Sequence, residues 1–191
     1  MWFRLSRWLS KFSSNWVALI GLVVFMLFTI LMLPKQTANE DSAMVGVGSP
    51  DLSIYYSSAD LYNMAEAYGE AGRAKYIQVR FTFDLIWPIV YTFFLVTSIS
   101  WVFAKAFLPK SNWQLANLAP VLGMVFDYLE NIAASWVMWR YPLRTPVVDW
   151  LAGVFTAFKW ILISGSFILL LIGIFVAVIR WVRRTNNAND N

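Results

Sequence analysis

Four ionisable residues stand inside, or at the edge of, segments that otherwise have the composition of membrane-spanning helices: Asp84, Asp127, Glu130 and Lys159. A charge at the centre of a bilayer helix costs about 2.5–3.5 kcal/mol on insertion scales. A chain that carries four must pair them, hydrate them or use them. Carboxylates and an amine can move protons, or bind the polar end of a ligand. Asp127 and Glu130 lie one helical turn apart on the same face. Two acids so placed do not both ionise easily without a cation, so the pair is suited to holding a proton. Lys159 is the expected counter-ion, reaching Glu130 or Asp127. The expected ligand or proton site is Asp84, Tyr91, Asp127, Glu130, Asn131 and Lys159, with Asp127 and Glu130 as the candidates for any catalytic role. The competing role is structural: Asp127, Glu130, Asn131 and Lys159 can simply tie three helices together by polar contacts.

Composition narrows the chemistry. The 191 residues are 59% hydrophobic and only 14% charged, which argues for a polytopic membrane protein of a single bundle. There is no cysteine, which excludes disulfides and thiolate metal sites, and no histidine, which removes the commonest general base. No cofactor is expected. No metal site is expected either: the run from Asp127 to Asn131 resembles a magnesium motif, but such sites normally use a second acidic motif and only Asp84 is available. Gly69-Glu-Ala-Gly72-Arg73 is too short for a phosphate loop. The basic residues near both ends read as topology anchors, not as a nucleic-acid patch.

The elements that must position these residues are long apolar helices. Crossing the hydrocarbon core takes about 20 apolar residues. Four segments are expected to span, at about 16–33, 81–104, 115–139 and 146–180, within a single domain over 1–182 and ahead of a disordered cytoplasmic tail over 183–191. The fold class is therefore all-α, a four-transmembrane-helix bundle. Four crossings put both termini on one side. That side carries Arg4, Arg7, Lys11, Lys105, Lys110, Arg180, Arg183 and Arg184 against one acid, Asp190, so the termini are expected in the cytoplasm. The first apolar run is too long for a signal peptide and lacks a cleavage site, so an uncleaved helix is expected. Trp101, Trp113 and Trp181 fall near the inner boundary, and Trp139 and Trp150 near the outer one, as interfacial belts require.

Residues 35–80 form the long outer loop. Its first part, through Gly46, Gly48 and Pro50, reads as extended or irregular. Ser57 and Asp60 have capping-box spacing, Leu61, Met64, Ala65 and Tyr68 recur at helical spacing, and Gly69 suits a C-cap. A second helix from Glu70 should run straight into the second span, giving a short helical hairpin that can lie over a site in the outer half of the bundle. Pro146 after Thr145 marks the expected start of the last helix.

The spans carry polar and small residues on single faces: Asp84, Pro88, Tyr91, Leu95 and Ser98 on the second; Pro120, Gly123, Asp127, Glu130, Asn131 and Ala134 on the third; Ala152, Lys159, Ser166 and Gly173 on the fourth. The first span has only Gly21 and Thr29 and is expected at the periphery. From a start at Leu115, Asp127 sits about 18 Å and Glu130 about 22 Å above the inner boundary, which gathers the polar groups in the outer half.

The run Gly69…Gly72-Arg73…Tyr76…Asp84…Pro88…Tyr91, with Phe126-Asp127-Tyr128-Leu129-Glu130-Asn131 and Thr156…Lys159-Trp160, resembles a group of bacterial integral membrane proteins without an assigned activity. That resemblance implies the fold and a bacterial origin; the expected location is the bacterial inner membrane. The layout, though no residue motif, is also similar to the emopamil-binding (sterol isomerase-like) proteins. The reading adopted is a binding or accessory protein with a polar, outward-facing intramembrane cavity for a lipid or small amphiphile. Its alternatives are a lipid-modifying enzyme using carboxylate acid–base chemistry and a proton-linked transporter. The partners implied are membrane lipids, a small amphiphile, and a membrane-protein partner or a second copy of the chain; nucleic acid is not among them.

Overall fold

The computed structural model describes residues 1–35, 48–50 and 53–189, and among these the ordered elements are helical. They are α1 (Trp2–Phe12), α2 (Asn15–Leu31), α3 (Ser58–Arg80), α4 (Phe83–Ala106), a 3-10 helix (Asn112–Leu118), α5 (Ala119–Arg140) and α6 (Val148–Asn189). Most of the first part of the outer loop, where an extended chain is expected, lies outside the described residues.

Three stretches are long and apolar enough to cross a membrane: Asn15–Lys35, Ser58–Ala106, whose apolar part is α4, and Val148–Asn186. Helix α5 has 22 residues. At about 1.5 Å per residue it is as long as a bilayer core is thick. Asp127, Glu130 and Asn131 make it less apolar than the other three.

The buried faces are those the small and polar stripes mark. Asp84, Pro88, Tyr91, Leu95 and Ser98 are buried on α4, and the whole stripe from Pro120 to Ala134 is buried on α5. On α6, Ala152, Lys159 and Ser166 are buried, and a Cβ at Gly173 would collide with the Phe103 ring. Helix α5 packs chiefly on α6 and also meets α3 and α4. Helix α2 lies outside, with only Ala18 and Gly21 buried; a Cβ at Gly21 would stand 2.8 Å from Thr97 Oγ1 and 3.3 Å from Phe94 Cα, so glycine permits the close approach to α4. Phe25 stacks there on Phe94 at 4.6 Å.

The core forms two apolar clusters. One is rich in tyrosine and joins Tyr56, Tyr62, Tyr68 and Tyr76 from the loop and α3 to Ala134, Val137, Met138 and Ala152. The other joins Tyr91, Phe94, Leu95, Ile99 and Phe103 of α4 to Ile163 and Leu170 of α6. The first turns of α6 thus pack beside the loop helices. A Cβ at Gly153 would strike the Tyr56 carbonyl.

Local signals in the outer loop act as expected. Ser57 Oγ accepts the Asp60 amide at 3.2 Å, and Asp60 Oδ2 accepts the Ser57 amide at 2.9 Å, a complete capping box. The Ser57 hydroxyl also donates to Asp60 Oδ2 at 2.7 Å, and that bond first, the Ser57 amide second, holds the Asp60 carboxyl below its ordinary range. Gly69 (φ 61°, ψ −176°) breaks α3 into two arms. Arg73 Nη1 donates to the Ala65 carbonyl at 2.8 Å, satisfying one carbonyl that the break exposes.

Three expectations need correction. The second arm does not run straight into the span: the helix stops at Arg80 and resumes at Phe83. Thr82 is non-helical (φ −124°, ψ −78°), and its hydroxyl donates to the Gln78 carbonyl at 2.8 Å, a side-chain contact that competes with helix continuation. Helix α6 begins at Val148 instead of Pro146, because Val147 adopts φ 78°, outside the helical region and costly for a β-branched residue. At its other end α6 continues to Asn189, through most of the segment expected to be a disordered tail. Extending an existing helix needs no new nucleus, and the Thr185 hydroxyl donates within it to the Trp181 carbonyl at 2.8 Å.

Candidate functional site

Two helices bring three of the four expected charges together. On α5 the i, i+3, i+4 spacing aims Asp127, Glu130 and Asn131 at α6, and on α6 Lys159 points back. Lys159 Nζ forms an ion pair with Glu130 Oε2 and lies 3.7 Å from Asp127 Oδ1. Glu130 is fully buried, Lys159 is 3% exposed and Asp127 7%, so none of the three is hydrated at the surface. Asn131 Nδ2 donates to Asp127 Oδ1 at 3.3 Å.

The two apolar clusters meet at this spot, and each sends in a tyrosine. Tyr91 of α4 donates to Asp127 Oδ2 at 2.9 Å. Tyr56, just ahead of α3, donates to Glu130 Oε1 at 3.4 Å. Burial first, and the Glu130 carboxylate second, push the Tyr56 hydroxyl well above the ordinary tyrosine range. It stays protonated and acts as a donor. Thr156 lies beside the same hydroxyl, its own oxygen donating to the Ala152 carbonyl at 3.0 Å.

Asp84 takes a different partner. It forms an ion pair with Arg80 across the break between α3 and α4, with Arg80 almost fully buried. The guanidinium lies 4.4 Å from the centre of the Tyr76 ring, inside the tyrosine-rich cluster that also holds Tyr56. Pro88 removes the helix donor for the Asp84 carbonyl. The neighbouring Leu85 carbonyl accepts Tyr128 Oη at 2.8 Å, which ties α5 to this weakened turn.

Asp127, Glu130, Asn131, Lys159 and Tyr91 thus form one connected network, and Asp84 belongs to a second pair at its edge. Tyr56, Tyr76, Arg80 and Thr156 were not among the expected residues. The spacing of Arg80 and Asp84 is a helix pair's spacing and could have flagged them. Nothing local flags Tyr56, which is 74 residues from Glu130.

Hydrogen bonding is incomplete. Among the described residues Asn131 Oδ1 and Ser135 Oγ are buried without a hydrogen-bond partner. Ser135 stands one turn beyond Asn131 on α5. The arrangement offers two carboxylates to one ammonium and leaves acceptor capacity unused beside them. No group of three or more acidic residues placed to hold a metal ion occurs among the described residues. No family model, curated protein or solved structure matches the chain.

Proposed function

We propose that the chain is a four-span protein of a bacterial inner membrane that binds a small amphiphile at the Asp127–Glu130–Lys159 network. The observation that carries this reading is the mismatch just described: two buried carboxylates share one ammonium, while Asn131 Oδ1 and Ser135 Oγ lack donors. A buried polar atom without a partner costs about 1–3 kcal/mol, a cost that a donor brought in by a ligand would offset. A ligand whose polar end donates hydrogen bonds, such as an amine or a hydroxyl, answers that surplus, and its tail matches the surrounding hydrocarbon. Tyr56 covers Glu130 from the outer loop and is the group such a ligand would displace.

The fourth crossing belongs to this reading. Helix α5 is long enough, and its polar residues are turned inward onto α6, α4 and the loop. Counting it returns both termini to one side, and the basic residues near the ends support a cytoplasmic side.

Native mass spectrometry of the gently extracted protein tests the proposal. An amphiphile adduct is expected on the intact protein, and its loss is expected in Asp127→Asn combined with Glu130→Gln. Equal adducts on both proteins would remove the network from the binding site. The same spectrum reads whether a second subunit accompanies the chain.

A further inference from the structure

Helix α1 is divided lengthwise into three faces. Ser6 and Ser10 form the face that docks on the protein. Ser6 Oγ donates to the Gln114 carbonyl at 2.7 Å. The fully buried Asn117 reaches the Ser6 carbonyl at 3.1 Å, Ser10 Oγ at 3.2 Å and Ser100 Oγ on α4 at 2.9 Å. These contacts fix the rotation of α1 about its axis.

At about 100° per residue the other two faces are then determined. Arg4, Arg7 and Lys11 share one, and all are exposed. Leu5, Trp8 and Phe12 share the other; Trp8 is 55% and Phe12 59% exposed, their rings edge to face at 4.8 Å. Residues 1–35 contain no Asp or Glu.

The position of α1 selects the partner. Only Ser13 and Ser14 separate it from α2, a helix long and apolar enough to cross a membrane. It therefore lies where α2 meets the bilayer surface. Lys105, 3.5 Å from the centre of the Trp101 ring, and the half-exposed Trp113 sit at the same end of the bundle. A helix with one aromatic face and one basic face, held at the end of a span, fits the plane of a membrane interface. Its charge is complementary to lipid phosphate.

We propose that α1 is an in-plane anchor that binds anionic lipid headgroups, with Trp8 and Phe12 in the acyl boundary and Arg4, Arg7 and Lys11 on the phosphates. This inference uses the membrane-crossing character of α2 and is independent of the ligand network.

The absence of cysteine makes Trp8→Cys a unique labelling site for an environment-sensitive fluorophore. The labelled full chain is reconstituted in phosphatidylcholine with increasing phosphatidylglycerol. The label should be shielded from iodide and quenched by nitroxide lipid, more strongly by nitroxide phosphatidylglycerol than by nitroxide phosphatidylcholine. Arg4→Gln, Arg7→Gln and Lys11→Gln together should reduce that preference by roughly fivefold or more, since each basic residue near an anionic surface contributes a factor of that order. Raising the salt concentration should erode it in the protein with all three basic residues intact, which keeps the test independent of how the triple variant folds. A label open to iodide in every mixture, a lipid contact without preference for phosphatidylglycerol, or a preference insensitive to salt would each overturn the proposal.

Discussion

Replacing Lys159 by methionine removes the ammonium that Asp127 and Glu130 share, and the two acids are not equally affected. Asp127 lies 3.7 Å from Lys159 and keeps Tyr91 at 2.9 Å and Asn131 at 3.3 Å. Glu130, fully buried and in direct contact with Lys159, keeps only the longer bond from Tyr56 at 3.4 Å among the contacts described. Breaking a buried pair from one side costs about 3–5 kcal/mol, because a charge is left uncompensated. Most of that penalty should reside at Glu130. Adding Glu130→Gln to Lys159→Met leaves a neutral group of the same shape that still accepts from Tyr56, and should restore on the order of 1–3 kcal/mol. Adding Asp127→Asn should restore less. The assay is unfolding in mixed micelles, with helicity followed as the fraction of denaturing detergent rises. Equal recovery by the two pairs, or a Lys159→Met, Glu130→Gln protein no more stable than Lys159→Met alone, would refute the account of the network.

Other perturbations test the packing around it. Gly173→Ala drives a methyl into the buried Phe103 ring and should cost about 1–3 kcal/mol, whereas Gly165→Ala meets no atom within 4 Å and should gain about 0.5–1 kcal/mol as a helix residue; both are read by the same detergent titration. Asn117→Leu strips the Ser6 carbonyl and the Ser10 and Ser100 hydroxyls of a donor and should destabilise by about 1–3 kcal/mol, with hydrogen exchange accelerating in α1 but not in α3. Asp60 titrates below its ordinary value of 3.8, so its capping contribution is complete above that pH and is lost as pH falls through the lowered value; the corresponding loss of helicity in acid should disappear in Asp60→Asn.

The sequence alone determined most of the helical segments and which faces α4, α5 and α6 bury, but not helix α1, the stop after Arg80 or the continuation of α6 to Asn189. Those segments and faces follow from interactions within a few residues: apolar length, the capping box at Ser57, the left-handed break at Gly69, and the stripes that α4, α5 and α6 turn inward. It also determined that Asp127, Glu130 and Lys159 need partners, because unpaired charge in an apolar segment is costly. Tertiary structure decided who those partners are. Arg80 carries no sequence signal beyond its i, i+4 spacing to Asp84; the stop after it, with Thr82 bonded back to Gln78, leaves its guanidinium buried against Tyr76 and paired with Asp84. Tyr56 sits 74 residues from the carboxylate it covers, and Asn117 joins residues up to 111 positions away. Such contacts are fixed by how whole helices rotate and approach, a balance of packing over the entire bundle that no local spacing encodes.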